Sequence, residues 1–171
     1  MMSTFFPVAK IANRTPVISQ EFKPVVHLGV DIMFPRRAAD PLHRPSDPRG
    51  TRGFYVPAGA TAIAAEAGTL HYAHRAPNGW RVRIAHADGW HSLYLHLSAL
   101  FVPAWELDTP GVFPITAGQP LGPVGGDPTD ADPRHTYHLH FERRDSKNVA
   151  HDPAPWLRLA TYLELPVASF V

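Results

Sequence analysis

The chain has 171 residues and sets 16 Lys and Arg against 15 Asp and Glu, a net charge of +1, so there is no bulk electrostatic case for nucleic acid or a membrane surface. That length supports one domain with a real core and not obviously two, and no apolar run approaches the roughly 18 residues that a membrane helix needs. The absence of cysteine excludes disulfides, a cysteine nucleophile and thiolate metal sites, while 19 prolines and 12 glycines predict many turns and few long helices.

Residues 1–23 read as an N-terminal arm of weak pattern. They lack a basic stretch followed by a continuous apolar one, so they are not a secretory signal. A strand is expected near 25–33. Its HLGVD segment (27–31) places His27, Gly29 and Asp31 on one face and Leu28, Val30 and Ile32 on the other, because strand side chains repeat every two residues. The Pro/Arg-rich stretch FPRRAADPLHRPSDPRGTRG (34–53) reads as a long loop, and loops of this length in a compact domain are often functional. It follows Asp31 directly, so it is expected to wall a substrate groove. Arg36 and Arg37 are there to meet substrate carboxylates, with solvated charge as the plainer reading. His43 and Asp47 repeat the spacing of His27 and Asp31, but Pro41, Pro45 and Pro48 rule out a regular strand and leave loop chemistry.

Strands are expected near 54–56, 60–65, 68–75, 80–87 and 90–97, with turns at Pro77-Asn78-Gly79 and Asp88-Gly89. His71 and His74, on the strand after Gly68, either line a groove or lie on the surface, and surface is the plainer reading. His86 and His91 flank the Asp-Gly turn and read as exposed. In YLHLS (94–98), Tyr94, His96 and Ser98 oppose Leu93, Leu95 and Leu97; Tyr94 either lines a site or is a packed aromatic. Loops follow at 103–118 and 125–136, around a short strand at 119–124. The next strand carries HLHFE (138–142), with His138, His140 and Glu142 opposite Tyr137, Leu139 and Phe141. His135, just before it, is a loop histidine that could touch substrate. Glu142 either orients a ligand imidazole or is a solvated strand end. DPAPWLRLATYLEL (152–165) reads as a C-terminal helix with Asp152 as cap and Pro153 in its first turn. No internal repeat of solenoid type is present.

A single His-x-His or His-x-x-x-Asp is a weak motif. Three strands that each present imidazoles on one face and core on the other can converge them on one metal, and that points to a zinc hydrolase. HLGVD, YLHLS and HLHFE in this order resemble the lysostaphin- and LytM-type zinc endopeptidases of the M23 family. The intervening PAGATAIAAEAGTL (57–70), NGWRVRIAHADGWHSLYLHLS (78–98) and GVFPITAGQPLGPVG (111–125) agree with that family's pattern. The likeness runs over about residues 24 to 157. The family usually has a shorter Ser/Thr-Gly-rich connection where 125–136 stand, which leaves substrate preference open.

The resemblance implies a mainly β fold: an antiparallel sheet or sandwich related to the barrel-sandwich hybrids, with long loops and a short C-terminal helix. It implies an arm at 1–23, a peptidase domain at 24–157, and a helix and tail at 158–171. His27, Asp31 and His140 would bind one zinc per chain, and His96 and His138 would be the catalytic histidines. Two imidazoles and a carboxylate suit zinc better than magnesium or calcium, and three protein ligands leave a fourth position open. One histidine would take a proton from water while the other stabilises the oxyanion or protonates the leaving amine; the sequence leaves open which does which. The implied activity is a monomeric endopeptidase acting on the peptide stems and cross-links of bacterial peptidoglycan, in the periplasm or outside the cell. Without a signal in this chain, the export route stays open. A non-catalytic wall-binding or amidase-activating relative is the alternative, although such proteins lose ligands and this chain keeps the full set. A lipoyl- or biotinyl-type carrier would need a lysine at a hairpin tip, and Lys10, Lys23 and Lys147 lie outside the hairpins.

Overall fold

The computed structural model describes residues 4–42, 49–105, 113–126 and 137–165; His43, Asp47 and His135 lie outside these. The strands run in chain order as β1 (Val17–Gln20), β2 (Val30–Pro35), β3 (Phe54–Tyr55), β4 (Thr61–Ile63), β5 (Gly68–Ala76), β6 (Gly79–Ala85), β7 (His91–Leu97), β8 (Pro114–Ile115), β9 (Pro120–Pro123), β10 (Leu139–Arg144) and β11 (Ala150–His151). One sheet has the order β1-β2-β10-β7-β6-β5-β8, with β3 added to β2 and β11 to β10, and β4 pairs with β9 in a second ribbon. All the pairings are antiparallel. The expected mainly β, antiparallel architecture is what forms.

Alternation builds the core. Val30, Ile32 and Phe34 of β2, Leu139 and Phe141 of β10, Tyr94 and Leu97 of β7, Val82 and Ile84 of β6 and Leu70 of β5 join one cluster with Ala62 and Leu121 of the ribbon. Each is almost fully withdrawn from water, a favourable transfer of about 25 cal/mol per Å² of apolar surface. Ser92, Tyr94, Val82 and Ile84 therefore look inward, and Leu93, Arg83 and Glu142, paired beside them, look the other way.

Two expectations change. Residues 4–23 are no free arm. Phe6, Val8 and Ala9 are buried, Ile63 N–H donates to the Pro7 carbonyl and Ala9 N–H to that of Thr61, and β1 extends the main sheet. The C-terminal helix is a single turn, α1 (Ala154–Leu157), not 152–165. The N-cap is Pro153 rather than the expected Asp152, although Asp152 Oδ1, one residue earlier, accepts from Ala154 N–H at 2.9 Å. Beyond Arg158 the chain leaves the helix, because Thr161 and Glu164 bridge in parallel to Phe5 and Lys10. Tertiary pairing outweighs helix propensity there. The 103–118 loop also contributes more than a connection, since β8 pairs with Gly68 and Thr69.

A candidate metal centre on the open sheet face

His27 is not on a strand. The N–H groups of Val26 and His27 both reach the Lys23 carbonyl, at 3.1 and 2.8 Å. Val25 takes a φ of 72°, and the strand expected from 25 begins only at Val30. The turn leaves Val25 and Val26 92% and 83% exposed. It still delivers the His27 ring, whose Nδ1–H donates to the Glu21 carbonyl at 2.8 Å and whose Nε2 lies 3.0 Å from Asp31 Oδ1. Asp31 comes from β2 and His140 from β10, directly opposite in the register. His140 Nδ1 is 2.9 Å from Asp31 Oδ1. His138, just before β10, places Nε2 3.4 Å from the same oxygen. One ligand atom each from His27, Asp31 and His140 fall within 4.8 Å of one another.

The charges at this point are strongly coupled. Burial favours the neutral Asp31 carboxyl, but the His140 hydrogen bond and the fields of His138, His140 and His27 overcome it and hold Asp31 below the usual carboxylate range. Burial likewise pulls the His140 imidazolium down, while hydrogen bonds to Asp31 and Glu142 push it up to about 9. His140 Nε2 meets Glu142 Oε1 at 3.2 Å, and Glu142 Oε2 accepts from Arg144 Nε–H at 2.6 Å. Glu142 is thus no solvated strand end. It is 6% exposed and orients the imidazole beside Asp31, as carboxylates do behind ligating histidines. The i, i+2 spacing of His140, Glu142 and Arg144 carries this signal in the sequence.

His96 reaches the same face through a distortion of β7. Tyr94 pairs with Val82 and Leu97 with Trp80, so Leu95 and His96 together oppose Arg81 in a β-bulge. His96 adopts φ 65°, a left-handed conformation uncommon for a residue with a side chain. It is held there because its carbonyl accepts from both Gly125 and Gly126 N–H, at 3.0 and 2.7 Å. Bulges re-aim side chains; this one separates His96 from Tyr94, which strict alternation would have kept on one face. Tyr94 is 0% exposed, its hydroxyl accepts from Ala65 N–H at 2.8 Å, and it packs edge-on against Phe141. It is core and lines no groove. The His96 ring sits 4.7 Å from that of His138 and 6.1 Å from that of His140. Burial, reinforced by His138, lowers its pKa to about 4. Its Nδ1–H donates to the Asn78 carbonyl at 3.2 Å, so Nε2 is the free base.

The loop arginines are committed elsewhere. Arg36 donates to the carbonyls of Asp40 and Pro41, and Arg37 to that of Asn13 at 2.6 Å, so both tie the loop to itself and to the N-terminal segment. His86 is not exposed: it is buried, with its ring between the Ala67 carbonyl and Ser92 Oγ. The backbone acceptors at Glu21 and Asn78 carry no side-chain signal that a sequence could reveal.

The donor set fits zinc. Two imidazoles and one carboxylate converge, and the outer nitrogen of the His27 ring and of the His140 ring is fixed by an acceptor, which turns the inner one toward Asp31. The peptidase family M23 model matches residues 51–153. That range takes in His96, His138 and His140 but begins after His27 and Asp31. No curated protein matches the chain. Among solved structures, a protein of Ruminococcus gnavus assigned as a glycyl-glycine endopeptidase LytM superposes with a TM-score of 0.65 at 18% identity, covering 98% of this chain and 64% of that one. A zinc-containing peptidase from Vibrio cholerae gives 0.55 at 20% identity, covering 94% and 40%. A chain of the SpoIIQ–SpoIIIAH pore-forming complex gives 0.59 at 20% identity, covering 99% and 96%. At these identities the likeness is one of fold.

Proposed function

The chain belongs to peptidase family M23, and from that premise we propose that it is a zinc-dependent endopeptidase that hydrolyses peptide cross-links of bacterial peptidoglycan. The observation that carries this reading is Asp31 Oδ1, approached to 3.0, 3.4 and 2.9 Å by His27, His138 and His140. His27, Asp31 and His140 hold the metal, one per chain. Zinc bound there supplies Lewis acidity toward a carbonyl oxygen and toward water.

The rest is done by the chain's own groups. His96 is neutral at physiological pH and keeps Nε2 free by giving its Nδ1 proton to Asn78, so it takes the proton from the attacking water. His138 stands against it across the site and donates toward the developing oxyanion or the leaving amine. Glu142 holds His140 in the tautomer that ligation needs. The substrate is reached in the periplasm or outside the cell; no helix among the described residues is long and apolar enough to cross a membrane.

A second reading has one specific support, the similarity over nearly the whole chain to a component of the SpoIIQ–SpoIIIAH pore-forming complex. On that reading the protein binds wall or a partner, or activates an amidase, without hydrolysis. Purified sacculi, direct-cross-linked and glycine-bridged, separate the two. Chelator-sensitive loss of one cross-link type, followed by mass spectrometry of released muropeptides, is expected of the endopeptidase. Zinc bound at one per chain with no release from either wall would establish the second reading.

A further inference from the structure

The face that carries His140 continues across the sheet, and its far side is basic. Residues paired directly across neighbouring strands share a face. His140 pairs with Leu95, Arg81 opposes the Leu95–His96 bulge, and His74 pairs with Arg81. In the adjoining row Glu142 pairs with Leu93, Leu93 with Arg83 and Arg83 with Tyr72. The candidate metal centre is therefore continuous with a ledge of Arg81, Arg83, Tyr72 and His74, where the Tyr72 and His74 rings stack at 4.6 Å.

No carboxylate neutralises this ledge among the described residues. Among the described residues, Arg81 reaches the amide oxygen of Asn78, at 3.5 Å, and Arg83 the Nδ1 of His91, at 2.7 Å. The Nε–H of each guanidinium is enclosed without an acceptor, as is that of the carboxylate-paired Arg14, so it is the outer nitrogens that set Arg81 and Arg83 apart. Arginine forks suit carboxylates. The contrast with Arg14, Arg143 and Arg144, each paired with a carboxylate, is direct.

Resting on the endopeptidase reading, we propose that this β5–β6 ledge is a substrate subsite that takes a free carboxylate of the peptide. Strands lie about 4.8 Å apart, so Arg81 and Arg83 on β6 are about 10 Å across the sheet from β10, the reach of about three residues of extended peptide. The bond cut would then be the one that has an acidic group about three residues away. The stacked Tyr72 and His74 border the subsite on the side away from the metal.

The test uses cross-linked stem peptides released from purified sacculi, either as free acids or with their carboxylates amidated by carbodiimide and ammonia. Equilibrium binding to the zinc-loaded full chain and the rate of hydrolysis are both measured. The acid form is expected to bind at least about tenfold more tightly than the amide. Arg81→Gln with Arg83→Gln should close that gap, with the effect on KM rather than kcat. Arg81→Lys with Arg83→Lys should restore much of it, and affinity for the amide checks that each variant is folded. Equal affinity for acid and amide, or an equal loss of both in the Gln variant, overturns the subsite. Acid preference without any cleavage sinks the endopeptidase reading and keeps the ledge. Cleavage of both forms with one KM does the reverse.

Discussion

Asp31 and His140 face each other across the β2–β10 ladder, paired residue to residue, with 2.9 Å between Oδ1 and Nδ1. The ladder sets this distance, since directly opposed residues on antiparallel strands bring their side chains together. Asp31 is also the meeting point for His27 and His138. Asp31→Ala should therefore lose zinc and hydrolysis together, while the core behind it, built on Val30 and Ile32, keeps the fold. Metal content by mass spectrometry and far-UV circular dichroism check this. A variant that retains one zinc per chain would remove Asp31 from the ligand set.

The two remaining histidines should behave differently from Asp31. His96 is fixed by Asn78 and by the backbone bulge rather than by Asp31. His96→Ala and His138→Ala should each keep stoichiometric zinc and lose turnover by about a hundred- to ten-thousandfold, the usual weight of a general acid or base. If His138→Ala purifies without metal, His138 belongs among the ligands.

Gly29 is where the metal face tolerates no side chain. A Cβ added there would collide with the Phe141 carbonyl oxygen and lie 2.8 Å from His140 Nε2 and 2.9 Å from Glu142 Cγ. The carbonyl is backbone and cannot swing away, so Gly29→Ala must push β10 and the His140–Glu142 pair. A stability loss of about 1–3 kcal/mol is expected from such overpacking. Weaker zinc binding should accompany it, because the acceptor that orients His140 is displaced. Denaturation of the metal-free protein and a zinc titration separate the two effects; unchanged zinc affinity would count against the orienting role of Glu142.

Zinc and protons should compete for His140. Without metal, its two nitrogens lie between Asp31 and Glu142, at 2.9 and 3.2 Å, and ligation requires the Nδ1 proton to leave. Zinc binding near pH 7 should therefore release protons, measurable by calorimetry in buffers of different ionisation enthalpy. Activity should fall as pH drops through about 6, where imidazoles outside such networks also begin to charge. A flat activity profile down to about pH 4.5 would contradict the set of histidine ligands.

The sequence carries the parts of this site that alternation writes. His140, Glu142 and Arg144 fall two residues apart on β10, and β3 to β7 and β9 lie close to where turn residues and apolar periodicity place them. What it conceals is what breaks period two. The bulge at Leu95–His96 sends Tyr94 into the core and His96 to the face of Asp31 and His140, although YLHLS reads as one uninterrupted strand. His27 enters from a turn that Lys23 closes through its carbonyl, a bond with no side-chain signature. The N-terminal segment looks patternless because Phe6 and Val8 are buried by separate strands and ribbons, not by one amphipathic element. The C-terminal turn stops short because Thr161 and Glu164 find partners in that same segment.

The loop after β2 is anchored by a salt bridge whose effect can be read against pH. Arg14 meets Asp40 with two parallel bonds, Nη1 to Oδ1 and Nη2 to Oδ2, both 2.7 Å, and Arg37 N–H donates to the same carboxylate at 2.7 Å. These bonds, the Arg14 side chain first, hold the Asp40 carboxyl below its ordinary range. A group whose pKa is depressed by folding stabilises the protein above its unfolded value, near 3.8 for this side chain, and loses that contribution as pH falls through the folded value. The clamp should therefore be fully present at pH 5 to 8 and fail below about pH 4. Asp40→Asn should cost about 0.5–1 kcal/mol at neutral pH, the upper part of the range for a solvent-screened ion pair, and should flatten the acid end of the stability profile relative to the unsubstituted protein. Because Arg14 also packs over Phe34 and Tyr55, Arg14→Met tests the charge with less loss of packing and should show the same flattening. Parallel acid profiles for all three proteins would mean that another carboxylate governs acid unfolding.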